Sequence, residues 1–461
     1  MEKVKKIHFE ISERKILLKL LDVFSILLFL YINAQLWQIE YFLSIFSSPT
    51  YLLVFIVYIS FFCTLFEMYN LQIASNQQQI IKSIVFSGFA ICIFYIITPI
   101  ITPILPNKRY QIFLLLGIIF CSLICWRLLY LKIFTSVRFQ KNVIFIGNKD
   151  QVNNLIYKLG KIDPHYKVRA SIISNQFFVE NELAFDKITV DEILNFIKKN
   201  NISEIVIADK ENDLASQVIT LLLESLERGV IVREFNEVYE SITASIPIFD
   251  FDKKSFTYFP FGRSNTNKLY VLGIRIFDII LSLLGLLGLL CILPIIYCIN
   301  LFANKGPLFY KQERVGQYGK PFNVHKLRSM VINAEKNGAQ FAQKNDSRIT
   351  PFGKFIRRSR LDEIPQFYNV LKGEMSIIGP RPERPIFVDK IAEIMPVYKA
   401  RHVVKPGLTG WAQVKYSYGA TIDDSIIKLQ YDLYYIKNRS FALDINILIK
   451  TLNTVLFFKG Q

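Results

Sequence analysis

The chain has 461 residues, 52% of them apolar, and a mean hydropathy of +0.30. That is too hydrophobic for an ordinary soluble protein and long enough for two or three domains. Lys and Arg number 55 against 38 Asp and Glu, a net charge of +17. Such an excess suits anionic lipid headgroups or phosphorylated substrates, and the long apolar runs set nucleic acid aside.

The opening stretch MEKVKKIHFEISERK is basic, but no small-residue cleavage site follows the first apolar run. That run therefore reads as a retained span rather than a signal peptide. Four segments, near residues 20–39, 51–69, 83–105 and 111–131, reach the ~20 apolar residues that a bilayer crossing needs. Residues 1–139 thus read as a four-helix transmembrane bundle. Basic residues precede the first span (Lys3, Lys5, Lys6, Arg14, Lys15) and follow the fourth (Lys132, Arg138, Lys141). The first outer loop, around residues 40–49, has no Lys or Arg, and Lys108 and Arg109 on the second weaken the bias without reversing it. The positive-inside rule puts both ends of the bundle in the cytoplasm. All six cysteines (Cys63, Cys92, Cys121, Cys125, Cys291, Cys298) lie in apolar segments without CxxC spacing, which suggests neither zinc nor a disulfide framework.

From about residue 140 to 248 the texture is that of a soluble, Rossmann-like α/β domain. KNVIFIGN reads as a buried strand ending in glycine, with a helix over residues 151–159 after it. KVRASIIS and SEIVIAD read as further strands, and residues 190–199 and 217–228 have helical periodicity. The loop GNKDQVNN carries one glycine where a dinucleotide fingerprint has three, so its backbone cannot approach a pyrophosphate closely. A structural or regulatory role is expected here rather than a working NAD site.

A polar, aromatic linker (residues 249–267) leads to a fifth apolar segment within residues 268–303, which contains Pro294. A full crossing would put everything beyond residue 302 on the side opposite the α/β domain. A cytoplasmic nucleotide donor would instead require the segment to enter the membrane and return. Pro294 removes one helix hydrogen bond and permits a sharp bend. Arg275 and Asp278, at i and i+3, are spaced to pair near the interface.

The chemistry gathers in residues 304–461. FYKQERVGQYGKPFNVHKLRSM brings Lys311, Arg314, Lys320, Lys326 and Arg328 together. SRITPFGKFIRRSRLDEIPQFYNVLKGEMSIIGPRPERP sets Arg357, Arg358 and Arg360 before the adjacent acids Asp362 and Glu363, and Arg381 between Pro380 and Pro382. Arginine forks bind phosphate oxygens bidentately. Two adjacent carboxylates among cations can divide labour, one attacking phosphorus and the other holding Mg²⁺. Arg358, four residues before Asp362, would share its helix face and keep it ionised. Pro365 reads as a helix start. An Asp-Glu pair or an arginine run alone is usually a solvated surface; their joint occurrence in this order is what counts against that.

The order resembles the bacterial sugar transferases, the polyprenyl-phosphate hexose-1-phosphate transferases, over residues 268–461. The matching stretches are RIFD, RVGQYGKPF, KLRSM, RLDEIPQFYNVLKGEMSIIGPRP, RHVVKPGLTGWAQV and YDLYYIKN. Four spans and a Rossmann-like unit look like the large, exopolysaccharide-type branch. The resemblance implies a mainly α-helical, monotopic catalytic domain (residues 304–461) seated by a re-entrant membrane helix on the cytoplasmic face of a bacterial inner membrane. It implies transfer of a sugar 1-phosphate from a UDP-sugar to polyprenyl (undecaprenyl) phosphate with release of UMP, initiating exopolysaccharide, capsule or O-antigen repeat units.

In that reaction Asp362 is the nucleophile, forming a phosphosugar–aspartyl intermediate, and Glu363 the Mg²⁺ ligand. Lys326, Arg357, Arg358, Pro380, Arg381 and Asp432 make up the implied substrate- and phosphate-binding set. Glu374 and Arg360 depart from the usual pattern, at positions not expected to touch the carboxylate pair. His325 and His402 are taken as structural or phosphate-contacting, since an ionised carboxylate needs no histidine to attack phosphorus. The C-terminal FALDINILIKTLNTVLFFK is amphipathic enough to lie on the interface, and proteins of this type tend to form homodimers.

Two other classes remain. A nucleotide-sugar dehydratase or epimerase needs GxGxxG and a catalytic Tyr-x-x-x-Lys. The first is missing, and Tyr157 to Lys161 falls in the helix after the first strand, where it could not face a nicotinamide. An inactive membrane scaffold would need no carboxylate pair with its arginines.

Overall fold

Long apolar helices begin the first of two units, Met1–Thr243; the second is Ala244–Gln461. The computed structural model describes residues 11–456 except 75, 107, 135–140, 148–165, 174–175, 180–181, 186–188, 209–215, 249–266, 305, 333, 335–345, 417–418 and 420. The expected helix over 151–159, most of the glycine-poor loop, the Tyr157–Lys161 match and nearly all of the linker lie outside the described residues.

In the first unit, α1 (Ile11–Trp37), α4 (Gln77–Ile97) and α5 (Tyr110–Phe134) are each long and apolar enough to cross a membrane. Between them, α2 (Glu40–Ser47) and α3 (Pro49–Leu65) meet at 97°. The expected loop around residues 40–49 is therefore largely helical, with Tyr41, Phe42 and Ile45 buried. The break falls at Ser48, which is extended at φ −116°, ψ 123°. Proline disfavours the α conformation in the residue before it, and Pro49 then starts a new helix at its first position. Gly88 lets α4 and α5 touch, because a Cβ there would lie 2.3 Å from the Phe120 ring. Two charges hidden within the apolar segments, Asp22 of α1 and Arg127 of α5, form a buried ion pair at 2.5 Å.

The same unit carries a six-stranded sheet in the order β4-β3-β2-β1-β5-β6. Its strands are β1 (Lys141–Ile146), β2 (Tyr166–Ile173), β3 (Gln176–Val179), β4 (Glu182–Phe185), β5 (Ile202–Ile207) and β6 (Ile231–Glu234). Four neighbours, β2, β1, β5 and β6, run parallel, and the β3–β4 hairpin adds antiparallel strands at one edge. Successive β1 residues feed opposite faces. Ile144 and Ile146 join the core under α6 (Val190–Asn200) and α7 (Ser216–Glu227). Val143 and Phe145 join the one under α8 (Phe235–Thr243). A strand apolar on both faces is the mark of a sheet covered on both sides.

The second unit starts earlier than the composition suggested. Trp411 donates to the Ala244 carbonyl at 2.8 Å, and Ile246 and Ile248 pack with Val397, Leu429 and Leu433. These residues close the second core rather than ending the α/β domain. The unit's membrane-type helix, α9 (Lys268–Ala303), runs 36 residues, about 54 Å, and stays helical through Pro294. One stripe of it is buried: Tyr270, Ile274, Asp278, Ser282, Leu289, Ile296 and Asn300. The spacing of four and seven is that of a single helix face.

Along that stripe the rest of the unit grips α9 from end to end. Tyr270 donates to Asp444 at 2.6 Å. Asp278 accepts from Ser376 and from the Ile377 amide. Ile296 packs on Leu327 and Ile356, and Asn304 donates to the Arg328 carbonyl. Arg275 and Asp278 do not bond each other as their spacing suggested. Arg275 instead donates to the carbonyls of Val370 and Leu371, both at 2.7 Å. Carbonyls at a helix C-terminus are a stronger draw for a guanidinium than a neighbouring carboxylate already committed to other donors.

Candidate active site

Asp362 and Glu363 lie on an elbow between two short helices, α10 (Pro351–Arg358) and α11 (Gln366–Lys372). Thr350 caps α10 by accepting from the Gly353 amide, and Pro351 begins it. The helix stops at Arg358 because Arg360 takes a left-handed conformation, φ 59°, before a 3₁₀ turn over Leu361–Glu363. Pro365 then caps α11. Arg358 and Asp362 thus lie on different elements. The single helix face that their spacing suggested is therefore interrupted between them, at Arg360. Cations that act on Asp362 include Lys326, Arg357 and Arg360.

Asp362 is buried, and its Oδ1 has no hydrogen-bond partner among the described residues. Glu363 accepts from Arg381 at 2.8 Å and sits 3.5 Å from Arg360. Arg360 therefore does touch the carboxylate pair, contrary to the sequence reading; its left-handed backbone turns the side chain back over the elbow. The two acids are pushed in opposite directions. Burial and the neighbouring Glu363 raise Asp362 above the usual carboxylate range, against the pull of the cations. Burial opposes ionisation of Glu363 as well, yet Arg381, Lys326 and Arg360 hold it below the usual carboxylate range.

Lys326 comes from the second strand of a hairpin, β7 (Phe309–Val315) and β8 (Pro321–Leu327). Burial, with Arg381 second, lowers its ammonium to about 8. The strand is tied to α11 through fully buried Asn369, which donates to the Asn323 carbonyl and accepts from the His325 amide. Of the other hairpin cations, Arg328 turns away. It braces the end of α9 through Asn304 and the carbonyls of Pro307 and Met330.

Arg381 reaches the site from a strap, residues 379–383, that follows β9 (Ser376–Ile378). Pro380 is buried there, and its carbonyl accepts from the Gly407 amide at 2.9 Å. A Cβ on Gly407 would lie 2.1 Å from the Gly379 nitrogen, so the strap's close approach to β10 (Gly407–Thr409) depends on that glycine.

Asp432, expected in the binding set, is buried and paired with Arg401 at 2.7 Å, one layer behind Arg381. The chain's two histidines in this unit also stand apart from the carboxylates. His325 packs edge-on against Tyr368, and His402 is lowered to about 4 by burial and by Arg401. Arg401 itself was overlooked in the sequence. Its only sign there is its place in RHVVKPG, which by itself says nothing of what it touches.

Among the described residues no group of three His, Cys, Asp or Glu side chains could hold a metal. Magnesium asks for less: one or two carboxylates, with water and substrate phosphate completing the shell. Glu363, with the unpartnered oxygen of Asp362 beside it, fits that requirement.

An apolar helix gripped along one face, beneath a cation-ringed pair of acids, defines a membrane-associated protein with a site fit for phosphoryl groups. The family described as "Bacterial sugar transferase" matches residues 269–458. A putative undecaprenyl-phosphate N-acetylgalactosaminyl 1-phosphate transferase of Bacillus subtilis (strain 168) is 49% identical over 141 residues, 31% of this chain and 79% of the relative. The UDP-N-acetylgalactosamine-undecaprenyl-phosphate N-acetylgalactosaminephosphotransferase of Aeromonas hydrophila is 38% identical over 252 residues, 54% of this chain and 58% of the relative. Galactosyl transferase CpsE of Streptococcus agalactiae serotype III (strain NEM316) is 28% identical over 362 residues, 72% of this chain and 76% of the relative. The chain belongs to the bacterial sugar transferase family, in its large branch. It spans 58% of the length of the Aeromonas relative.

Proposed function

We propose that the chain transfers a sugar 1-phosphate from a UDP-sugar to undecaprenyl phosphate at the cytoplasmic face of a bacterial inner membrane. The observation that carries this reading is the unpartnered, buried oxygen of Asp362 inside a ring of Lys326, Arg357, Arg360 and Arg381. Arg357, Arg381 and Lys326 would hold the donor's diphosphate, and their charge would favour the ionised, attacking form of Asp362. An Asp362 oxygen then bonds the sugar-bearing phosphorus as its bond to the UMP oxygen breaks, and UMP leaves with that electron pair. In the second half, an oxygen of undecaprenyl phosphate attacks the same phosphorus and the Asp362 carboxylate departs. The sum is undecaprenyl-diphospho-sugar and UMP. Glu363 would hold magnesium, which would supply charge neutralisation.

The seat in the membrane is part of the proposal. A helix about 54 Å long exceeds the ~30 Å hydrocarbon core, yet one domain grips it from Tyr270 to Asn304. A helix crossing to the far side would carry its last turns out of that domain's reach. The grip therefore supports entry and return on one face, with exposed Leu272, Ile276, Leu284, Leu287 and Leu290 turned to lipid. Purified protein with Mg²⁺, undecaprenyl phosphate and a panel of UDP-sugars, including UDP-glucose and UDP-N-acetylgalactosamine, tests the reaction by UMP release. Release with one donor and recovery of the lipid-linked sugar is expected; no release with any donor would reject it.

A further inference from the structure

The strap that delivers Arg381 has an unusual anchoring problem. Pro380 and Pro382 lack N–H groups, so residues 379–383 cannot be fixed by a regular ladder. The Gly379 amide donates to the Thr409 carbonyl at 2.8 Å, and beyond it the strap is fixed through carbonyls. Pro380 O accepts from the Gly407 amide and Glu383 O from the Val315 amide, both at 2.9 Å. Pro382 O accepts from Arg314 at 3.2 Å and Arg381 O from Arg401 at 3.0 Å. The last contact lies on the very residue whose guanidinium holds Glu363.

Arg401 is built for that task. It is 5% exposed, stacks over the Tyr398 ring, and donates to the Tyr398 hydroxyl at 2.6 Å and to Asp432 at 2.7 Å. One nitrogen, Nη2, serves both Asp432 and the Arg381 carbonyl, so the acid aims the fork that holds the strap. The Tyr398 ring and hydroxyl and the Asp432 carboxylate thus all hold the guanidinium that reaches the Arg381 carbonyl.

We infer that Arg401, aimed by Asp432 and Tyr398, is a positioning residue that fixes the Arg381 backbone so that its guanidinium meets Glu363 and the donor's diphosphate. The inference rests on the transfer reaction proposed above. A buried ion pair with no such role could be exchanged for apolar residues of similar volume without harm, and often with gain. That supplies the test.

The double replacement Arg401→Met with Asp432→Leu removes both charges, so that no buried charge is left unpaired, and frees the Arg381 carbonyl. It is measured in the full chain with the UDP-sugar that the wild type turns over. Thermal stability within a few degrees of wild type is expected, with donor KM raised at least tenfold and kcat changed less. On an Arg381→Lys background the same double replacement should move KM less than twofold, because there is no longer a fork to aim. Unchanged KM in the otherwise native protein, or equal effects on both backgrounds, would overturn the inference. Should the double variant fail to fold, Asp432→Asn keeps the volume and loosens the aim. It should raise donor KM in the same direction, with the same dependence on Arg381, and an unchanged KM would again overturn the idea. A wild type without turnover would defeat the functional reading instead, a separate and recognisable outcome.

Discussion

Two carboxylate–arginine pairs in this chain share a chemistry and differ in what surrounds them. In the bundle, Asp22 and Arg127 meet at 2.5 Å with 0% and 2% of their side chains exposed. In the second unit, Glu363 and Arg381 meet at 2.8 Å with 15% and 37% exposed. The first pair joins two helices far apart in sequence and is closed to any ligand. The second is open on one side and crowded by Lys326, Arg360 and a second acid. Pairing alone therefore says little about function. An unpartnered oxygen alone does not separate a fastener from a site, because Asp22 has one as Asp362 does; the surplus of cations and the partial exposure around Asp362 and Glu363 do.

The sharpest way to break the comparison is to remove the charge of Asp362. Asp362→Asn keeps shape and volume, so the fold should survive, while turnover falls at least about 10⁴-fold if the carboxylate is the nucleophile. UMP release per mole of folded protein is the measurement. Activity near the wild-type rate would place the chemistry elsewhere in the site.

The bundle pair should respond in the opposite currency. Arg127→Met leaves Asp22 charged and unpaired among apolar helices, a loss of roughly 3–5 kcal/mol for a buried pair broken on one side. Adding Asp22→Leu removes the orphan and should restore most of the stability. Unfolding in mixed detergent micelles would show it, with turnover per folded molecule little changed. A double variant no better than Arg127→Met would mean that the pair does more than fasten α1 to α5.

His402 supplies an intermediate case, an ionisable group buried beside Arg401 and kept neutral. Its folded value, about 4, lies below the usual 6.5. The unfolded chain therefore binds a proton between those values that the folded chain does not, and stability must fall as pH drops from about 6.5 toward 4. Thermal unfolding at pH 7 and pH 5 should show the loss, and His402→Gln should flatten the slope. An unchanged slope in the variant would assign the acid sensitivity to other groups.

Much of this was legible in the residues, for reasons that differ by element. Apolar runs reported most of the helices, because a bilayer-length helix needs an uninterrupted stretch. The strands KNVIFIGN and SEIVIAD were equally plain, because a strand covered on both faces is continuously apolar. Motif order marked the carboxylates. What the sequence hid is set by long-range contact. Asp22 and Arg127 look like isolated flaws in apolar segments until the fold joins them. Arg275 and Asp278 looked like a pair until helix carbonyls and amides claimed each. Arg358 seemed to share a helix with Asp362 because nothing local announces that a nonglycine residue, Arg360, will turn left-handed. Arg401 is invisible because its target is a backbone carbonyl, which carries no residue identity.

Arg360 offers the smallest effect and the finest division between fastener and site. A nonglycine residue held at φ 59° costs on the order of 1 kcal/mol, which glycine would relieve. The ion pair it makes with Glu363, at 3.5 Å and with Arg360 36% exposed, contributes about 0–1 kcal/mol. Arg360→Gly should therefore leave stability nearly unchanged or slightly raised. Its effect should appear in binding: one cation fewer beside the acids means a donor KM raised a few-fold, and less so at high salt, where exposed charges are already screened. Melting temperature and donor KM at two ionic strengths separate the terms. A clear drop in melting temperature with KM untouched would put Arg360 on the side of Arg127, holding the elbow together rather than serving the phosphate.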